Sequence, residues 1–247
     1  AGVTAPRRAM SHNQMKRAID EGNLADVVTL LARFPEDLNR PGTFGSLMSA
    51  TYAIHNAAYK NNEHITRALI HANAEVNVRD YTGFTPLHFS ALKGGDTVAR
   101  LLLGASADPI ALDNRGQTPL HLAAKAPRGM AVTRALLEHG AASALHMRTL
   151  APPRLHPVEV ARRFAKTGAR NRVYAENTLA VLECAGKGLS LSILRNPLVG
   201  TLLRSTIFAF VSATRRRYDG DGEGLRLPRL PPELWGKILN QIPGRCL

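Results

Sequence analysis

Three histidines, His55, His88 and His121, follow one another at intervals of 33 residues. Imidazoles in so regular an array could ligate a metal ion or serve the framework. Ligands carried on three successive units cannot converge on one ion, so a structural role is expected and metal binding is set aside. Little else in the chain could carry a reaction. No Ser/His/Asp or Cys/His arrangement carries a nucleophile motif, and no glycine-rich phosphate loop follows a strand. The two cysteines, Cys184 and Cys246, lack metal-like spacing and suit free thiols in a reducing compartment. The expectation is therefore no catalytic residue, no metal and no cofactor.

Each of these histidines closes a recurring tetrapeptide. Thr85-Pro86-Leu87-His88 returns as Thr118-Pro119-Leu120-His121, and Tyr52-Ala53-Ile54-His55 is a fainter copy one interval earlier. Such a period marks a stacked helical repeat. Thr85 is a good N-cap, since its hydroxyl can satisfy an orphan N–H in the first turn. Pro86 then takes the first helical position, where a missing N–H costs nothing. Gly94-Gly95 ends that helix in a left-handed cap. Val98, Leu101, Leu102 and Leu103 form the apolar stripe of a second helix. Asp80-Tyr81-Thr82-Gly83 and Asp113-Asn114-Arg115-Gly116 read as turns between units.

These residues resemble the ankyrin repeat. The T-P-L-H tetrapeptide recurs at that family's spacing, Gly83 and Gly116 precede each threonine by two residues, and small residues follow at Ser90-Ala91 and Ala123-Ala124. The resemblance implies that the repeated histidine hydrogen-bonds backbone within the stack. The departures are mild. Asn73 and Ser106 stand where Gly140 supplies the usual glycine, and Asn tolerates that geometry better than Ser. Val98 aligns with Val132 at an offset of 34, so one residue is inserted across Pro127-Arg128-Gly129. Upstream, Met15 to Leu31 matches the unit of Ile54 and Leu69 at an offset of 39, which allows a longer loop around Asn39-Arg40-Pro41-Gly42. Downstream, His156-Pro157-Val158-Glu159-Val160-Ala161 reads as a degenerate first helix, with Asn171 to Cys184 as its partner.

The expected fold is thus all-α: an ankyrin solenoid of four or five helix-turn-helix units, then a small helical C-terminal region. Its divisions are a capping unit and long loop (1–47), three repeats (48–147), a degenerate or capping unit (148–185), a helical bridge with a Gly/Asp break (186–226) and a terminal motif (227–247).

Charge is unevenly placed. Up to Ala123 there are 12 Lys+Arg against 11 Asp+Glu, and from Ala124 onward 20 against 8, which accounts for the net +13. Arg148, Arg154, Arg162, Arg163, Lys166, Arg170 and Arg172 are the densest cluster, opposed in sequence only by Glu159. A solvated cap, an acidic protein partner and a nucleic-acid backbone all fit it. The absence of interleaved aromatics for base stacking argues against nucleic acid. Residues 1–20 lack the apolar core of a signal peptide. The apolar run from Pro197 to Ala213 is broken by Arg204 and is short for a membrane span, so a buried helix is expected there and no membrane association.

After Asp219-Gly220-Asp221-Gly222-Glu223-Gly224 the character changes again. Leu230-Pro231, Glu233-Leu234, Ile238-Leu239 and Ile242, with Trp235 alongside, would give a short helix one broad apolar face. This stretch resembles the opening of an F-box, although it is shorter than the usual three helices. Ankyrin repeats followed by such a terminal segment are similar to poxvirus ankyrin/F-box-like (PRANC-type) host-range proteins. That resemblance implies docking of Leu230, Pro231, Leu234, Trp235, Ile238, Leu239 and Ile242 on the Skp-type linker of a cullin–RING ubiquitin ligase, within host cytoplasm or nucleus. The competing expectation for the terminal helix is packing on the stack itself.

For target capture the ankyrin pattern points to turn tips and exposed first-helix positions: Arg79, Tyr81, Phe84, Asn114, Arg115 and Gln117, then Tyr59, Lys60, Phe89, Leu92, Lys93, Leu122 and Lys125. Phe89, Leu92 and Leu122 are the informative members if exposed, since apolar residues along such a surface mark an interface. The expected function is a substrate-recognition adaptor. The alternatives are a stoichiometric inhibitor of a host signalling or transcription factor, and nucleic-acid binding.

Overall fold

The computed structural model describes residues 12–43, 50–167 and 172–186. Among these residues ten α-helices form five consecutive pairs. They are α1 (His12–Glu21) with α2 (Leu24–Arg33), α3 (Ala53–Tyr59) with α4 (Glu63–His71), α5 (Pro86–Lys93) with α6 (Asp96–Gly104), α7 (Pro119–Ala123) with α8 (Gly129–Glu138), and α9 (Pro157–Thr167) with α10 (Arg172–Gly186). First helices pack on first helices in the order α1, α3, α5, α7, α9, and second helices pack likewise from α2 to α10. Between α2 and α3, a 3₁₀ turn at Pro35–Asp37 leads to a minimal antiparallel pair, β1 (Gly42–Thr43) with β2 (Ala50–Thr51).

The core lies between the two helical layers. Leu87 and Leu120 come from first helices, and Leu69, Val98, Leu102, Val132 and Leu136 from second helices; all are fully enclosed. Leu101 is only half-buried, so the α6 stripe is narrower than its run of apolar residues suggests. Ser90, Ala91, Ala123 and Ala124 are buried too, which is the close approach their small size permits.

The corners explain how the repeat tolerates sequence drift. Gly22, Asn61 and Gly94 occupy one corner of successive units and share a positive φ of 70°, 53° and 69°. The following residues open the second helices. Asn23 and Asn62 do so with side-chain oxygens that accept from Asp26 N–H at 3.2 Å and Ile65 N–H at 3.0 Å. At the other corner Asn73, Ser106 and Gly140 also have positive φ, at 64°, 66° and 94°. The extra residue of the fourth unit shortens α7 to five residues. Gly129 then opens α8 so close to the Ala123 carbonyl that a Cβ would collide with it.

The outer pairs belong to the same stack. Met15, Ala18, Ile19 and Val27 are buried at one end, and Ala161, Thr178, Val181 and Leu182 at the other.

Candidate partner-binding face

Every first helix of the inner units opens with the same contact. Thr85 N–H donates to His88 Nδ1 at 3.1 Å, and the Thr85 hydroxyl lies 2.8 Å from that nitrogen. Thr118 and His121 repeat it at 3.1 and 2.9 Å, and Tyr52 N–H donates to His55 Nδ1 at 3.2 Å. The Thr85 hydroxyl thus has an imidazole as a close partner in addition to the first-turn backbone N–H of the capping box. Since a backbone N–H can only donate, Nδ1 is the acceptor and Nε2 carries the proton.

Nε2 then donates forward into the next unit. His55 reaches the carbonyls of Val78 (3.2 Å) and Phe84 (3.1 Å), His88 that of Gln117 (3.1 Å), and His121 those of Met147 and Leu155 (both 3.1 Å). Burial lowers the proton affinity of all three rings, to about 4 for His55 and His121. At neutral pH each ring is uncharged and uses both nitrogens within the framework.

Those carbonyls belong to turns that carry a second repeated device. Asp80 Oδ1 accepts from the N–H groups of Thr82 (2.9 Å) and Phe84 (2.8 Å), and Asp113 Oδ1 from those of Arg115 (2.8 Å) and Gln117 (2.7 Å). Both aspartates are buried, so their charge is spent inside the turn. Gly83 and Gly116 take the positive φ (81° and 69°) that such a turn requires. In the next turn Thr149 stands in for the aspartate, and its hydroxyl accepts from Leu155 N–H at 3.1 Å. Successive turns are bonded to one another: Asn114 N–H donates to Thr82 O at 3.0 Å, and Leu150 N–H to Arg115 O at 2.8 Å.

Beside the turns lies an aromatic cluster. Phe84 stacks on His88 and meets Phe89 edge-on, both with centroids 5.3 Å apart. Phe89 also meets His55 at 5.4 Å and Tyr59 at 6.0 Å. Tyr59 is 43% exposed, and Lys93 Nζ sits 3.8 Å from its ring centroid. Lys60 pairs with Asp20 at 3.0 Å, tying α3 to α1. Burial would raise the Asp20 carboxyl, but hydrogen bonds from Lys60 and Asn56 outweigh it and hold the group below its ordinary value. Lys125 lies 3.4 Å from Gln117 Oε1, and its burial, aided by Arg115, lowers its proton affinity.

The family pattern for ankyrin repeats in three copies matches residues 15–113 and, in an overlapping register, 54–146. The chain belongs to the ankyrin-repeat family. No curated protein matches it. Ankyrin repeats imply protein–protein interaction, and the layout of this stack decides which side chains are available for it.

Of the ankyrin positions expected to meet a partner, Tyr59, Lys60, Arg79, Tyr81, Lys93, Asn114 and Arg115 are exposed. Phe84, Phe89, Leu92, Gln117 and Lys125 are half-buried, each offering one edge. Leu122 is not available. It occupies the position of Phe89 one repeat later, but it is 1% exposed where Phe89 is half-buried.

Among the basic residues, Arg148, Arg154 and Arg163 are exposed, whereas Arg162 bonds Glu183 at 2.8 Å. Glu159, the acid that seemed to oppose the cluster, accepts instead from His156 N–H at 2.9 Å. Lys166 and Arg172 lie on α9 and α10, and Arg170 is outside the described residues, as are Leu230, Pro231, Leu234, Trp235, Ile238, Leu239 and Ile242. Among the described residues no group of His, Cys, Asp and Glu is placed to hold a metal, and no helix is long and apolar enough to cross a membrane.

Two features escaped the sequence reading. Asn39 and Asn77 each clasp the unit that follows. Asn39 donates to Asn73 O (3.2 Å) and accepts from Glu75 N–H (2.9 Å), while Asn77 does the same with Ser106 O (3.2 Å) and Asp108 N–H (2.8 Å). Leu112 and Leu150 are exposed on the turns. Leu112 could have been found at 33 residues after Arg79; Leu150 is hidden by a turn-to-turn interval of 36.

Proposed function

We propose that this protein is a substrate-recognition adaptor: its ankyrin stack captures a host protein, and its C-terminal segment recruits a cullin–RING ubiquitin ligase through the Skp-type linker. Capture rests on one observation, the aromatic–cationic cluster that exposed Tyr59 and Lys93 form with half-buried Phe89 beside the bonded turns. Recruitment rests on the sequence of residues 227–247, where Leu234, Ile238 and Ile242 recur at intervals of four beside Trp235 and Leu239. Such side chains contribute roughly 1.5–3 kcal/mol each when covered, which favours a partner. The chain itself carries out no chemistry in this scheme. It holds target and ligase together, and effective concentration drives transfer by the other subunits.

The test is association of the full chain with purified Skp-type linker, followed by light scattering or calorimetry. A complex that Leu234→Asp combined with Ile238→Asp abolishes, with the helical content of the stack unchanged, is the expected result. No association of the wild-type chain at concentrations on the order of tens of micromolar would end the adaptor reading.

A further inference from the structure

The turns that receive the histidines form a continuous edge, and its side chains follow a pattern. Arg79, Leu112 and Arg148 each precede the turn's bonding residue (Asp80, Asp113 or Thr149), and Tyr81, Asn114 and Leu150 each follow it. Arg115 adds a further guanidinium on the middle turn. Tyr81 is 60% exposed, Leu150 67% and Leu112 38%, and the three arginines are exposed as well.

Charge on this edge is of one sign. The two acids within it, Asp80 and Asp113, are buried and bonded to turn N–H groups. Elsewhere in the stack Arg17, Arg40, Arg67, Arg100 and Arg162 each pair with a carboxylate of the same chain. Among the described residues Arg79, Arg115 and Arg148 form no such pair, though Arg148 Nε donates to His156 Nε2 at 2.8 Å. Backbone bonds between the turns hold the three tips in a fixed register.

We infer that this edge binds an extended acidic protein segment in which carboxylates alternate with apolar side chains. The inference rests on the capture of a partner protein by the stack and adds the chemistry of that partner. Guanidinium groups with no carboxylate partner of their own are placed to recognise one bidentately. Exposed Tyr81, Leu112 and Leu150 between them need apolar cover. A nucleic acid meets only half of this pattern. It would satisfy the arginines, but two of the three apolar side chains are aliphatic and give bases nothing to stack on.

The experiment is selection of a random peptide display library on the full chain, with winners sequenced and their affinities measured at two salt concentrations. Enrichment of Asp and Glu interleaved with apolar residues is expected, together with at least a tenfold loss of binding in the triple variant Arg79→Glu, Arg115→Glu, Arg148→Glu and in Leu150→Asp. Circular dichroism checks that both variants keep the helical stack. Winners without acidic enrichment, no winners, or tighter binding of a labelled oligonucleotide would overturn the inference. Winners whose binding is lost with Tyr59→Ala but kept in the triple variant would overturn it too, while leaving capture by the stack intact.

Discussion

His156 N–H donates to Glu159 Oε2 at 2.9 Å, across the same three-residue step by which Thr118 N–H reaches the ring of His121. The fifth unit keeps the reach-back of a capping box and replaces the imidazole by a carboxylate. Glu159→Ala should therefore destabilise the stack by about 1 kcal/mol in urea denaturation, and Glu159→Gln by much less. Equal losses for the two variants would show that the contact is not what secures α9.

Acid should unfold this stack along a defined course. Burial holds His55, His88 and His121 below their ordinary values, so the unfolded chain binds more protons than the folded one once pH falls under about 6.5. Stability is complete above that pH and declines as pH falls, and the decline due to His55 and His121 ends below about 4. His55 and His121 should each account for a loss on the order of 3 kcal/mol across the window. Urea midpoints measured from pH 8 to pH 4 check this, and His121→Gln should reduce the slope. A flat profile would contradict the placement of the rings.

Ser106 holds a φ of 66° where only glycine is unstrained. Ser106→Gly should stabilise by about 1 kcal/mol, raising Tm by roughly 2–4 °C. Asn73→Gly, at a φ of 64°, should gain less, because Asn tolerates this region. A larger gain at residue 73 than at 106 would refute the argument.

Two helical glycines should respond to alanine with opposite signs. At Gly104 a Cβ meets nothing, so Gly104→Ala should stabilise α6 by up to about 0.5 kcal/mol. At Gly129 a Cβ meets the Ala123 carbonyl, so Gly129→Ala should destabilise by about 1–3 kcal/mol. Thermal denaturation of the two variants side by side gives the comparison.

What could be read in advance was what depends on a few neighbouring residues. The Thr-Pro helix starts, the Gly94-Gly95 corner and the ankyrin register of the flanking unit at an offset of 39 follow from local backbone preference, and Met15 and Ile54 are both buried at that offset. The inserted residue before α8 was equally legible, since Val98 and Val132 both reach the core. Facts set by distant contacts were hidden. Leu122 and Phe89 occupy the same position in α7 and α5, yet one is enclosed and the other half-buried, a difference the repeat pattern does not carry. Glu183 meets Arg162 across a gap of 21 residues, so the basic cluster looked less opposed than it is. The clasps of Asn39 and Asn77 join side chains to backbone more than 28 residues away, at an interval that departs from the main period.

The histidine contacts all point one way. Each ring starts its own helix and donates to carbonyls that lie later in the chain, in the unit that follows. The stack therefore has a grain. Removing units from the front leaves every remaining imidazole with its acceptor, whereas shearing them from the back strands a buried N–H at the new end. A shortened version of this protein should be built by trimming from the amino-terminal side.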